Sequence, residues 1–422
     1  MEKILIKNVV LEGRQREILI EGNIIRRIGC RDTIRREEEE GARVMDAAGK
    51  AAIPGFVNMH THSAMTLMRG IYEDATLQEW LSYIWKVEPQ LTDEAIYWGT
   101  KLACLEMIKS GTTTFNDQYW SIDVAVKAIE QMGLRSMNSY VFLDMNDSSK
   151  DERLKEECLR IHELSGSWNE LNRFTVAVHA PYSVSEGLML WADEFAKRNN
   201  LLLHIHLSET EKEWKDSMKL HGLSPTEYLN SLGMLSPNML AAHCIWMSER
   251  DIELLAENDV KVVHNINSNL KLASGYKFKY KELKEAGVNV TLGTDGCASS
   301  NNLDMLETMK TAALVQKAWR RDPSAMPLDE LMDMATINGA KALDLNCGVI
   351  EEGKLADILL IDTDNHAFTP NYNFKANLIY SANSSCVDTV ICNGRVLMER
   401  RYVEGEEEIL ENVNRVYKKL IL

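Results

Sequence analysis

The chain has 422 residues, 45% of them hydrophobic and 26% charged, and its 63 acidic against 47 basic side chains give a formal net charge of −16. That balance is ordinary for a globular fold and excludes a disordered or fibrous chain, while the negative average field disfavours nucleic acid as a partner. No apolar run approaches the roughly 18 residues of a membrane span, and the opening Met1-Glu2-Lys3 lacks the basic and apolar regions of an export signal, so a cytoplasmic protein with no membrane partner is expected.

Residues 3–29 read as short β-rich runs separated by polar turns, beginning Ile4-Leu5-Ile6 and continuing Glu17-Ile18-Leu19-Ile20. The acidic stretch Arg35-Arg36-Glu37-Glu38-Glu39-Glu40 is expected to be a solvated turn. From residue 55 the texture changes. Apolar runs recur at 55–60, 112–116, 137–143, 174–179, 201–206, 239–243, 261–264 and 288–295, and the intervals hold amphipathic helical patterns, for example at 93–109, 122–131, 188–198, 249–257 and 303–318. Strand and helix alternating eight times predict a (β/α)8 barrel. Strand-like runs return between 355 and 403, where Asn393-Gly394 signals a two-residue hairpin. We therefore expect residues 1–54 and 347–422 to combine into a composite β-sandwich domain, and residues 55–346 to form the catalytic barrel.

The stretch Gly348–Leu355 mimics a phosphate-binding loop, but Leu355 stands where the magnesium-binding hydroxyl belongs, so it reads as a turn. The eight cysteines include no C-x-x-C pair, which excludes a zinc ribbon or a thioredoxin-type redox pair and predicts free thiols.

The chemistry is concentrated at strand ends. His60, His179, His206, His243, His264 and Asp295 each close a predicted strand, and the C-terminal face of a barrel is where active sites lie. His60 and His62 are two apart on one strand and can turn toward a single ion. With His206 and Asp295 they supply three imidazoles and a carboxylate, a set suited to one divalent cation, zinc first, with iron, manganese or cobalt also admissible. Such an ion makes hydroxide available near neutral pH. Attack on an amidine-like carbon also needs a proton donor, and Glu209, three residues past His206, is placed to supply one. His204 shares the face of His206 but lies deeper; His264 reads as structural or substrate-lining, and His162, His221 and His366 as surface residues.

The segments PGFVNMHTHSAMTLMRG, LACLEMIKSGTTTFND, VAVHAPYSVSEG, LHIHLSETEKE, LAAHC, SNLKLASG, LGTDGCASSNNLDM and GVIEEGKLADILLID together resemble the amidohydrolase superfamily, within it the S-adenosylhomocysteine/methylthioadenosine deaminase branch. The resemblance implies that His60, His62, His206 and Asp295 bind the metal, that Asp295 also shuttles a proton, and that His243 polarises the hydrolytic water. It implies that Glu209 protonates the ring nitrogen, that Glu88 holds the ribose hydroxyls, that Arg153 lies on the 5′ side and that His179 touches base or sugar. A homo-oligomer, dimer or tetramer, is implied as well. Near Ser139-Tyr140, where some members carry an arginine for a charged 5′ group, this chain has none, so methylthioadenosine, adenosine and 5′-deoxyadenosine stand beside S-adenosylhomocysteine as substrates. The alternatives are action on another ring, such as guanine, cytosine or a chlorotriazine, and a ligand-binding relative without catalysis.

Overall fold

The structure is a computed structural model that describes residues 3–30, 34 and 40–420; the acidic turn expected at 35–40 falls almost wholly outside them. The N-terminal segment supplies β1 (Lys3–Leu11), β2 (Arg14–Glu21), β3 (Ile24–Gly29), β4 (Arg43–Asp46) and β5 (Lys50–Pro54), and the C-terminal segment β14 (Ile358–Asp362), β15 (Val387–Cys392) and β16 (Arg395–Met398). These strands make one mixed sheet in the order β16-β15-β14-β5-β1-β2-β3, with β4 paired to β1. The two ends of the chain meet where β14 runs antiparallel to β5, from Ile358 opposite Pro54 to Asp362 opposite Lys50.

Period-two alternation explains the sheet's two faces. Ile4, Ile6, Ile18, Ile20, Ile358 and Leu360 pack into one core, while Leu5 and Leu19 turn the other way, against Ile34. Asn393 and Gly394, at φ 49° and 77°, supply the left-handed pair that a type I′ hairpin needs between β15 and β16. A Cβ on Gly394 would lie 1.9 Å from the Gly22 carbonyl oxygen, so the turn also requires glycine for room.

The second sheet is the barrel: β6 (Phe56–Thr61), β7 (Thr112–Tyr119), β8 (Arg135–Phe142), β9 (Asn172–Val178), β10 (Leu203–Leu207), β11 (Met239–His243), β12 (Lys261–His264) and β13 (Val290–Leu292). They pair in sequence order, and helices such as Asp93–Ser110, Glu186–Arg198 and Met305–Arg320 alternate with them. The chain is a (β/α)8 barrel carrying a second, mixed sheet. On β10, Leu203, Ile205 and Leu207 pack outward into the main core, which turns His204 and His206 inward.

Between the first and last barrel strands the joint is made differently. The Asp295 N–H donates to the His60 carbonyl at 2.9 Å. The Asn58 side chain donates to Thr294 Oγ1 at 2.7 Å and accepts from the Thr294 N–H at 3.0 Å. The expected strand at 288–295 is cut to Val290–Leu292, and beyond it Asp295 turns into the left-handed region at φ 64°. A Cβ on Gly293 would meet Asn265 Oδ1 at 2.4 Å and His60 Cβ at 2.8 Å, so this crossing of strands tolerates no side chain.

Arg135, on the barrel, is buried against Asp357 and also donates to Thr114 Oγ1 at 3.0 Å, tying barrel to mixed sheet. The final helix, Glu406–Leu420, leaves the mixed sheet and packs on Asp93–Ser110, with ion pairs Lys109–Glu406 and Arg415–Glu94. The Gly348–Leu355 stretch is a turn whose Gly353 N–H donates to the Ile25 carbonyl at 2.8 Å. Apart from Cys30 the cysteines are buried free thiols. Among the described residues no helix is long and apolar enough to cross a membrane.

Candidate active site

The C-terminal mouth of the barrel brings His60, His62, His206, His243, Glu209 and Asp295 into one buried cluster. His60 Nε2 lies 3.5 Å and His62 Nε2 3.3 Å from Asp295 Oδ1. Tetrahedral ligands bonded at 2.0–2.2 Å stand about 3.3–3.6 Å from one another, so these separations are those of donors sharing one small cation. The donor atoms of His60, His62 and His206 lie within 4.8 Å of one another, as do those of His60, His243 and Asp295. His60 Nε2 is buried with no hydrogen-bond partner, a need that an ion would satisfy.

The remaining ring nitrogens fix the imidazoles. His62 Nδ1 donates to the Gln118 carbonyl at 2.8 Å and His206 Nδ1 to the His179 carbonyl at 2.7 Å, which leaves each Nε2 for the centre of the cluster. His60 Nδ1 sits 3.0 Å from His204 Nε2, and the Asn116 amide closes that chain 2.9 Å from His204 Nδ1. His204 therefore orients His60 from below. Burial pushes His60 down to about 4. Burial also acts to lower His62, but the Asp295 carboxylate overrides it and lifts His62 to about 9. Burial alone would raise Asp295, yet the His60 and His62 imidazoles beside it hold its carboxyl well below the usual range.

His243 is anchored apart from these. Its Nδ1–H donates to Asn269 Oδ1 at 2.8 Å, which turns Nε2 into the cluster, 3.8 Å from Glu209 Oε2 and 3.9 Å from Asp295 Oδ2. Glu209 is raised, first by burial, and accepts from the Ser274 hydroxyl at 3.3 Å. Ser208, His243, Cys244 and Asp295 all take positive φ, between 49° and 76°. Such strain in non-glycine residues persists only where surrounding structure enforces it, and it collects at functional sites.

The helix Leu77–Val87 roofs the cavity. Leu77, Trp80, Leu81, Ile84 and Trp85 all line it, and their i, i+3, i+4, i+7, i+8 spacing makes them one face of the helix. Its start is held by a capping box between Thr76 and Glu79. Glu88, at i+11, extends the same face into the cavity. Its Oε1 is buried without a partner, and burial pushes it up to about 8. The cavity opens to solvent at its mouth, and the space it encloses is narrow, about 50 Å³.

His179 lines the same cavity, its Nδ1 2.7 Å from Ser183 Oγ. Arg153 is not brought there. It lies exposed on the helix Asp151–Ser165, whose buried stripe is Leu154, Cys158 and Ile161, and the neighbouring position faces solvent. Lys150 instead lines a second chamber, which shares Trp85, Glu88, Tyr119 and Trp120 with the first. His264 is buried, stacked on Phe278 at 3.9 Å, away from the cavity lining. His221 and His366 are exposed, and His162 is half-buried beside Phe174 and Phe195.

Sequence reasoning assigned no role to Asn116, Asn269 or Ser274. Asn269 and Ser274 stand inside SNLKLASG, but nothing in a linear pattern says which side chain reaches which histidine.

The amidohydrolase family matches residues 51–397. The chain belongs to that family. It is 44% identical over 413 residues to a 5′-deoxyadenosine deaminase of Methanoregula boonei, covering 97% of this chain and 93% of that one. It is 42% identical over 423 residues to 5-methylthioadenosine/S-adenosylhomocysteine deaminase 1 of Archaeoglobus fulgidus, covering 99% and 97%. In structure it is similar to an adenosine deaminase from Xanthomonas campestris with bound zinc, at a TM-score of 0.91 and 30% identity over 99% and 98% of the two chains.

Proposed function

We propose that this amidohydrolase is a metal-dependent deaminase of adenosine-type nucleosides, with zinc as its cation. The observation that carries the proposal is the placement of Glu209 and His243 beside four converging metal donors, over a cavity that Glu88 shares. A binding-only pocket gains nothing from a buried carboxyl with raised proton affinity beside an imidazole turned toward it.

His60, His62, His206 and Asp295 would hold the ion, which supplies Lewis acidity and brings the pKa of a water toward about 7. Overall, the elements of water replace the exocyclic amine at purine C6, and ammonia leaves. Glu209, whose hold on its proton burial strengthens, donates to the ring nitrogen beside C6. The Asp295 carboxylate receives the first proton that water gives up and passes it to the departing amine, His243 Nε2 polarises that water, and the proton of the hydroxyl left on C6 returns to Glu209 as the carbonyl forms. Glu88 accepts from the ribose hydroxyls, two donors for one carboxylate, and His179 edges the base.

With Glu88 on the ribose, the 5′ group faces the second chamber. Its walls beyond Glu88 include Leu91, Ile96, Leu143 and Met145, with Lys150 as its cation. The Lys150 ammonium already donates to the Asp144 carbonyl at 2.9 Å and lies 3.4 Å from Asp147 Oδ2. Apolar walls and an engaged lysine favour 5′-deoxyadenosine and methylthioadenosine over a zwitterionic amino-acid tail. The test is ammonia release by zinc-loaded protein from 5′-deoxyadenosine, methylthioadenosine, adenosine, S-adenosylhomocysteine, guanine and cytosine. Turnover of the first two with the highest kcat/KM is expected; turnover of guanine or cytosine alone would overturn the proposal.

A further inference from the structure

We propose that Glu213 is a positioning residue for the reaction, holding the turn that presents Glu209. Four helix starts in this chain frame the argument. At Thr76/Glu79, Ser224/Glu227 and Ser248/Asp251 the acidic residue three places on returns its carboxylate to the backbone N–H of the cap residue, a closed capping box. The helix Glu211–His221 begins the same way, with the Thr210 hydroxyl accepting from the Glu213 N–H at 3.1 Å. There the pattern breaks. The Glu213 carboxylate reaches past Thr210, and its two oxygens accept from the N–H groups of Ser208 and Glu209, each at 2.8 Å.

Those two peptides carry the proton donor into the cavity. Ser208 sits in the left-handed region at φ 50°, a conformation with no intrinsic preference for serine. Its carbonyl accepts from Ile245 and Trp246 N–H at 3.0 and 2.9 Å, and the Leu207 carbonyl accepts from Cys244 N–H at 2.9 Å. The turn is gripped on its carbonyl side by the strand end bearing His243, and on its N–H side by Glu213. Glu213 is itself buried, 6% exposed, so water cannot readily replace it there. Glutamine cannot replace it either. It offers one acceptor and one donor end, and the donor would face a peptide N–H.

The inference rests on Glu209 as proton donor, and its test separates the two claims. Steady-state kinetics with 5′-deoxyadenosine are measured for Glu213→Gln, Glu213→Asp, Glu209→Gln and the pair Glu209→Gln/Glu213→Gln, with zinc content alongside. Displacement of a reacting group by about 1 Å costs up to about 100-fold. We expect Glu213→Gln to lower kcat about 10- to 100-fold with KM within about threefold and zinc retained, and Glu213→Asp to fall between it and the parent. In the Glu209→Gln background the second substitution should change kcat by less than about threefold, because its target is gone. Thr210→Ala, which loosens the same helix start without touching the clamp, should keep parental kcat.

Fully additive losses in the double variant would overturn the inference, as would parental kcat in Glu213→Gln or an equal loss in Thr210→Ala. If Glu209→Gln itself kept parental kcat, the reading of Glu209 would fail instead.

Discussion

Replacing Asn269 by alanine tests which side of the site His243 belongs to. Asn269 and His243 are both buried, and the 2.8 Å bond between Asn269 Oδ1 and His243 Nδ1 fixes the ring's orientation and tautomer. Orphaning a buried donor costs about 1–3 kcal/mol. If that cost falls on the arrangement that places Nε2 toward Glu209 and Asp295, each ~1.4 kcal/mol is tenfold in rate. We therefore expect kcat for 5′-deoxyadenosine to fall about 10- to 100-fold. The Nε2 atoms of His60, His62 and His206 are oriented by other partners, so the zinc content should stay at that of the parent. Asn269→Asp, which keeps an acceptor, should recover most of the loss. The assay is ammonia release at saturating and subsaturating substrate, with metal measured on the same samples. Loss of zinc in step with activity would refute this reasoning and move His243 among the ligands, the grouping with His60 and Asp295 that the geometry also permits.

Two further outcomes concern Glu88 and the joint between the sheets. Burial lifts Glu88 from 4.5 to about 8, so its contribution to stability is fully present below pH 4.5 and is lost as pH rises through about 8. Glu88→Gln cannot ionise; its thermal midpoint should fall less than the parent's between pH 5 and 9, while KM rises with kcat little changed, and parallel stability profiles would contradict this. Arg135→Ala leaves the buried Asp357 carboxylate with the Asn393 N–H but without its cation. The expected cost is about 3–5 kcal/mol in urea unfolding, and a loss below about 1 kcal/mol would show the pair to be dispensable.

The barrel was legible because each buried strand is a short apolar run, and six of those runs end in a histidine or aspartate that has no place in an apolar core. His60, His206, His243 and Asp295 announce themselves in that way, His62 by standing two residues past His60, and Glu209 by following His206 at three. Arg153 stands exposed, outside the lining of both chambers, because its helix turns Leu154 and Cys158 inward. Asn116 and Asn269 were illegible for a different reason. Asn116 meets His204 across 88 positions, and only the closed barrel decides that contact. Glu213 was hidden by its ordinary company, an acidic helix start, and its distinction lies in which N–H groups its carboxylate reaches.

The joint between the first and last barrel strands gives the metal a mechanical duty besides its chemical one. His60 and His62 belong to one edge of that joint and Asp295 to the other, and among the described residues it is held by the backbone hydrogen bond from Asp295 to His60 and by the Asn58 side chain. A cation gripped from both edges would tie the cylinder shut along this line. Loading the ion and finishing the wall become a single event, and a chain stripped of it should breathe first along this line, seen as faster amide exchange in β6 and β13 than in β9 and β10.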